Sequence, residues 1–355
     1  MKKILVIAPS WVGDCMLMQP MLVRLLQRHP GVKIDILAPP WTEKLLRLMP
    51  EIGKVIINPF QHGALQIMAR RRLGLQLRAA QYDQAIVLPN SLKSALIPFF
   101  ADIPLRTGFT GEMRYGLLND ARKLDKRELP LMVERFAQLA EAPGAIIQRP
   151  LPQPRLHIAE DQRLRALHKF GLSLNQPVAV FCPGAEYGPA KRWPIPYFAE
   201  LAQTLRAQGY AVWLLGSAKD KEVADKIVAL GNAESFNLCG TTDLAEAVVL
   251  LSCADLVVSN DSGLMHLAAA LDRPMLALFG SSSPQFTPPL SAKAQVLKLD
   301  MKCSPCFKRV CPLDHFDCMK KLTPDQVAKF IPAIRQTEKN HAILPQGNLQ
   351  GLPRR

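Results

Sequence analysis

Residues 254–280 read ADLVVSNDSGLMHLAAALDRPMLALFG. Leu256-Val257-Val258 is a short β-branched apolar run, the signature of a buried strand. Asn260-Asp261-Ser262-Gly263 breaks it with residues suited to tight turns and helix caps. Leu264 to Leu271 then reads as a helix, Asp272-Arg273-Pro274 ends it, and Met275 to Phe279 reads as a second strand. A strand–helix–strand unit of this kind gives parallel strands with a right-handed crossover. The Asp-Ser-Gly turn then falls at a strand's carboxyl end and a helix's amino end, where open α/β sheets bind anions. Asp261, Ser262, Gly263 and His266 are the residues beside such a site. An ordinary capped turn without a ligand fits the same spacing.

The pattern extends outward in both directions. Strands are expected at 2–8, 33–38, 54–57 and 84–88, with helices at 15–28, 41–49 and 65–81 between them. Residues 106–127 read as a long irregular basic loop. After a helix at 131–141, prolines at 143, 150, 152 and 154 mark a linker. The alternation then restarts, with strands at 177–182, 210–215 and 235–238. The fold class is therefore α/β, two Rossmann-like doubly wound halves facing across a cleft, divided as 1–150 and 151–335. The tail from 336 to 355 is expected to be disordered. The dinucleotide fingerprint G-x-G-x-x-G is absent, which argues against a dehydrogenase.

Composition narrows the partners. The chain has 355 residues and a formal net charge of +14. Between Gln61 and Arg127, 11 basic residues stand against 5 acidic ones, which suits an anionic sugar or a lipid headgroup. Aromatics are 6% and no nucleic-acid motif occurs, so no nucleic-acid partner is expected. No run approaches the ~18 apolar residues of a membrane span. Pro9 and Asp14 cut short the apolar start that would otherwise resemble a signal peptide. A soluble cytoplasmic protein is the expectation.

Several residues carry candidate chemistry. Asp14 closes the loop after the first strand, either as a helix N-cap or as a carboxylate base at the sheet's mouth. Lys191 and Arg192 lie in the Gly-rich loop after the strand ending at Cys182, a plausible clamp for a diphosphate. Lys93 follows the fourth strand, and Arg106 and Arg114 lie in the basic segment. Cys303, Cys306, Cys311 and Cys318 are spaced C-x2-C-x4-C-x6-C. In a reducing compartment this suggests structural zinc, with unbound thiols as the alternative. Cys15, Cys182, Cys239 and Cys253 are isolated and read as small buried hydrophobes.

Taken together, PSWVGD (9–14), VLPNSLKSALIPFFADIPLRTGF (87–109), GEMRYGLLND (111–120), CPGAEYGPAKRWP (182–194), LLGSAKD (214–220) and VSNDSGLMHLAAALDRP (258–274) resemble the ADP-heptose:lipopolysaccharide heptosyltransferases. The resemblance runs from about Lys2 to Ile334 and favours the branch that adds the second heptose of the inner core. It implies a GT-B glycosyltransferase that inverts configuration. The donor would be ADP-heptose in the carboxy-terminal half, and the acceptor heptosyl-Kdo2-lipid A at the amino-terminal half. Carried over by position, Asp14 is the general base and Lys191 contacts the diphosphate. Ser262 and Gly263 hold phosphates, Asp261 a heptose hydroxyl, and His266 lies near the nucleotide. Asp220 falls at the ribose and Thr242 near the adenine, while Lys93, Arg106 and Arg114 are acceptor-binding candidates. Ala185-Glu186 replaces the paired hydroxyls of some relatives, which leaves that loop's phosphate contacts open. No cofactor is required for the chemistry. The protein is expected to be a monomer that touches the cytoplasmic face of the inner membrane transiently. Rival readings are a heptosyltransferase for another core position, a nucleotide-sugar epimerase, and a non-catalytic, metal-stabilised glycolipid-binding protein.

Overall fold

The computed structural model describes residues 1–61, 63–231 and 235–331. The first half runs β1 (Lys3–Ile7), α1 (Val12–Arg28), β2 (Lys33–Ala38), α2 (Glu43–Leu46), β3 (Lys54–Ile57), α3 (Ile67–Leu77), β4 (Gln84–Val87), α4 (Leu92–Phe100), β5 (Leu105–Phe109), β6 (Asp120–Arg122) and α5 (Met132–Gln138). The second runs α6 (Glu160–Phe170), β7 (Val178–Cys182), α7 (Ile195–Ala207), β8 (Ala211–Leu214), α8 (Lys221–Gly231), β9 (Ser235–Asn237), α9 (Leu244–Leu251), β10 (Leu256–Asn260), α10 (Gly263–Ala270), β11 (Met275–Phe279), β12 (Ala294–Lys298), α11 (Asp317–Lys320) and α12 (Pro324–Ala328). The expected disordered tail lies outside the described residues.

Each half holds one six-stranded sheet, ordered β3-β2-β1-β4-β5-β6 and β12-β11-β10-β7-β8-β9. Every pairing is parallel. The two orders are the same topology, the doubly wound one whose ligand crevice opens where the order reverses. That reversal lies between β1 and β4 in one half and between β7 and β10 in the other. Strands covered by helices on both faces must be apolar throughout, and β4, β7, β8, β10 and β11 are buried at every residue.

One continuous apolar core passes from the first sheet through α1 and α10 to the second, including Met16, Leu22, Met265, Ala268 and Val257. Polar ties reinforce this junction. Gln19, buried in α1, donates to the Arg155 carbonyl at 2.9 Å and accepts from the Arg155 amide at 2.8 Å. The Met132 amide reaches the Phe286 carbonyl at 3.0 Å, and Lys44 pairs with Asp243 at 2.7 Å. No helix among the described residues is long and apolar enough to cross a membrane.

Three expectations are corrected. The basic segment 106–127 is not one irregular loop, because it contributes β5 and β6 to the sheet edge. Residues 41–49 form only a single turn followed by the four-residue α2. The helix expected at 65–81 spans only Ile67–Leu77, followed by a single 3-10 turn at Arg78–Ala80.

A candidate active site between two helix amino termini

The loops after β1, β7 and β10 build the site. Residue 11, not Asp14, occupies the N-cap of α1, and no side chain caps that end. Asp14 is the third residue of the helix, so the capping alternative does not hold. Opposite, α10 begins at Gly263 with Ser262 at its N-cap, again without a side-chain cap bond. Both helices therefore keep first-turn N–H groups and the positive ends of their dipoles free of side-chain caps.

The two ends touch. A Cβ on Gly13 would sit 2.7 Å from Cδ2 of His266, and a Cβ on Gly263 would sit 2.9 Å from Cβ of Val12. Only glycine lets α1 approach the Asp-Ser-Gly turn this closely. Lys191 reaches over to donate to Asp261 Oδ2 at 2.5 Å. Its ammonium also lies 5.1 Å above the Tyr187 ring.

Burial sets the protonation of two groups here. Burial lifts the Asp14 carboxyl from 3.8 to about 6; Lys191 opposes the rise and Asp261 adds to it. Burial drives His266 down to about 4, with Asp261 and Lys191 acting in opposite directions on it. At neutral pH the site thus holds a carboxylate poised near its titration point, a neutral imidazole and a buried Lys–Asp pair. A carboxyl titrating close to working pH is suited to general-base chemistry.

The sequence placed Asn260 only in the turn, yet its side chain also fixes the loop after β7. Its Oδ1 accepts from the Trp193 amide at 3.0 Å and its Nδ2 donates to the Pro183 carbonyl at 2.8 Å. Both ends of the 183–193 loop are thereby fastened to the end of β10. Asp220 closes the neighbouring turn: its Oδ2 accepts from the Ser217 amide at 2.9 Å and hydroxyl at 2.7 Å. A Cβ on Gly184 would lie 2.5 Å from that carboxyl group. Thr242 lies on the β9–α9 loop, its hydroxyl 3.5 Å from the Leu238 carbonyl. Ser281 and Ser282, just past β11, are buried hydroxyls with no hydrogen-bond partner among the described residues.

The acceptor-side candidates separate. Lys93 is half-buried in the first turn of α4. Arg106 is turned inward, donating to the carbonyls of Leu117 at 2.7 Å and Ile103 at 2.5 Å. Arg114 is 2% exposed and not a surface cation at all. It donates to the carbonyls of Pro89 at 2.6 Å and Phe109 and to Asn90 Oδ1 at 3.0 Å. Tight loops leave carbonyls facing inward, and a five-donor guanidinium satisfies several at once.

The cysteine segment packs behind the 183–193 loop. The Ser304 hydroxyl donates to the Gly280 carbonyl at 2.7 Å, and the Phe307 amide to Ser281 at 2.7 Å. The Ala190 amide donates to the Arg309 carbonyl at 3.0 Å, and the Tyr187 hydroxyl to Phe307 at 2.7 Å. Burial and then the thiols of Cys306, Cys303 and Cys311 push the Cys318 thiol up. All four are free and half-buried. Neighbouring thiols are not yet a coordination shell: among the described residues, no three His, Cys, Asp or Glu side chains are grouped to hold a metal ion. The zinc expectation loses its support, and the segment acts as a brace under the Lys191 loop.

Two parallel doubly wound domains with a crevice at their strands' carboxyl ends are the GT-B arrangement. The family model for glycosyltransferase family 9 (heptosyltransferase) matches residues 70–317. Lipopolysaccharide heptosyltransferase 2 of Salmonella typhimurium is 54% identical over 306 residues, 84% of this chain and 88% of that protein. Its namesake in Escherichia coli K12 is 49% identical over 346 residues, 95% of this chain and 99% of that one. The solved structure of E. coli ADP-heptose LPS heptosyltransferase II superposes with a TM-score of 0.87 at 46% identity, covering 96% of this chain and 100% of that one. The chain belongs to glycosyltransferase family 9, the heptosyltransferases.

Proposed function

We propose that the protein moves L-glycero-D-manno-heptose from ADP-heptose to the first heptose of heptosyl-Kdo2-lipid A, with inversion at the anomeric carbon. Residues 1–150 receive the acceptor and 151–335 the donor. The observation that carries the reading is the meeting of Asp14, on α1, with Lys191, Asp261 and the uncapped α10 terminus across the domain junction.

In this mechanism Asp14 takes the proton from the acceptor's O3 as that oxygen attacks the donor's anomeric carbon from the face opposite the diphosphate. Negative charge then develops on the departing ADP. Lys191 and the N–H groups of α10 at Ser262 and Gly263 meet that charge in a largely desolvated crevice, where electrostatic stabilisation is strongest. Asp261 holds Lys191 in place until the donor arrives, and offers its carboxylate to a heptose hydroxyl. His266, neutral above about pH 4, adds no charge to compete with the lysine. Asp220 and Thr242 border the nucleoside, and Lys93 remains the acceptor-side cation with its charge least committed. The protein works at the cytoplasmic face of the inner membrane, drawn there by its basic amino-terminal half.

The test is incubation with ADP-heptose and Kdo2-lipid A bearing or lacking one heptose, read by mass spectrometry. Addition of one heptose only to the heptosylated acceptor is expected. Addition to the heptose-free acceptor moves the protein to the first step, and hydrolysis or epimerisation without an acceptor defeats the reading.

A further inference from the structure

Of the four tryptophans, Trp193 and Trp213 are 2% and 1% exposed, while Trp11 and Trp41 are 43% and 52% exposed. Tryptophan is highly buried on average, so two exposed indoles on neighbouring loops need a reason. Strands β1 and β2 pair in parallel with Ile7 opposite Leu37. The loops leaving their carboxyl ends therefore run side by side, one bearing Trp11 and the other Trp41.

Trp41 is not loose. Its indole N–H donates to the Ser10 carbonyl at 2.9 Å, which ties its ring to the loop that carries Trp11. Trp11 in turn is the N-cap of α1, and its carbonyl accepts from the Cys15 amide at 3.0 Å. Asp14 lies three residues further on, in the first turn of that helix. Lys44, one turn past Trp41, reaches the other domain at Asp243, so this stretch borders the crevice.

We propose that Trp11 and Trp41 form an aromatic platform for a pyranose ring of the acceptor, delivering its hydroxyl to Asp14. The C–H face of a sugar packs on an indole, while the rim of the ring stays available for polar contacts. Rigid aromatic rings give contact area at little conformational entropy, and a fixed ring positions the sugar better than a free one. The inference rests on the transferase reading above and adds the residues that would select a sugar there.

Because the other two indoles are sealed, acrylamide quenching of tryptophan emission reports on Trp11 and Trp41. The full chain would be titrated with the heptosyl-Kdo2 oligosaccharide stripped of its acyl chains, with ADP alone as control. The oligosaccharide should shield the emission and ADP should not. Trp41→Ala should raise the oligosaccharide KM about tenfold or more, as truncated tryptophan anchors do, with the donor KM changed less than about twofold. Trp41→Phe should recover most of the loss, and an unchanged melting temperature in all variants excludes misfolding. An oligosaccharide KM equal in wild type and both Trp41 variants overturns the platform, as does shielding by anionic phospholipid vesicles but not by oligosaccharide. If wild type transfers no heptose at all, the transferase reading fails. Transfer with unaltered KM in the variants removes the platform alone.

Discussion

Asp14→Asn should make the protein both inactive and more stable. In the folded state burial lifts this carboxyl from 3.8 to about 6, so the folded protein holds the proton more tightly than the unfolded chain does. For a raised carboxyl pKa, stability is full below the unfolded value and is lost as pH rises through the folded one. The gap corresponds to about 3 kcal/mol at pH 8. Asp14 keeps some contact with water, and solvent screening reduces this to about 1–3 kcal/mol. An amide of the same shape carries no charge into the crevice, so the variant should melt higher at pH 8 by about 2–4 °C for each kcal/mol. The advantage should shrink through pH 6 and nearly vanish by pH 4, where wild type is itself protonated. Transfer should fall about 10²–10⁴-fold, the usual contribution of a positioned base. Thermal melts across that pH range and turnover by mass spectrometry test both halves. An Asn variant no more stable than wild type at pH 8 refutes the desolvated carboxylate, and one retaining a tenth of the activity refutes the base.

Other perturbations test the surrounding parts. Lys191→Met leaves the 4% exposed Asp261 carboxylate without its partner and should lower stability by about 3–5 kcal/mol; adding Asp261→Leu should restore most of that, but not transfer, by denaturant titration and turnover. Gly13→Ala puts a methyl group against the His266 ring, and turnover should drop about tenfold or more as reacting groups are displaced. Arg114→Met strips several inward carbonyls of their donor and should destabilise by about 2–4 kcal/mol. The acceptor KM should not follow, since the guanidinium never faces the acceptor, and a KM that rises with no stability loss would reverse that assignment. Wild-type turnover should fall on the acid side with a midpoint near pH 6, where Asp14 becomes protonated.

The sheets were legible wherever burial on both faces demanded unbroken apolar strands. Met275–Phe279 appears at the expected residues and Val178–Cys182 within one of them, both buried at every position. β5 was hidden because Phe109 is its only large buried apolar side chain: Thr107, 0% exposed, bonds Gln84 at 3.0 Å and Asp120 at 2.9 Å. An edge strand such as β12, with only Leu297 buried, likewise leaves little pattern. In the site, Asp14, Lys191, Asp261 and His266 could be found because they cluster in short motifs after strands. The roles of Asn260 and Arg114 could not. Their roles are set by partners distant in sequence or by carbonyl directions, such as the bonds of Asn260 to residues 67 and 77 positions away. The same limit applied to the cysteines, whose spacing suggested a metal while Ser304, Phe307 and Arg309 between them support a loop.

Gln19 links the linker to α1 through a reciprocal pair of bonds with Arg155. It stands five residues after Asp14, about 7.5 Å along the helix axis. The covalent passage between the halves is thus fastened to the helix that carries Asp14, close to that carboxyl group. The same helix end touches the Asp-Ser-Gly turn of the second half. One chain segment therefore sets the register of Asp14 against the turn it faces, much as a dowel aligns two plates.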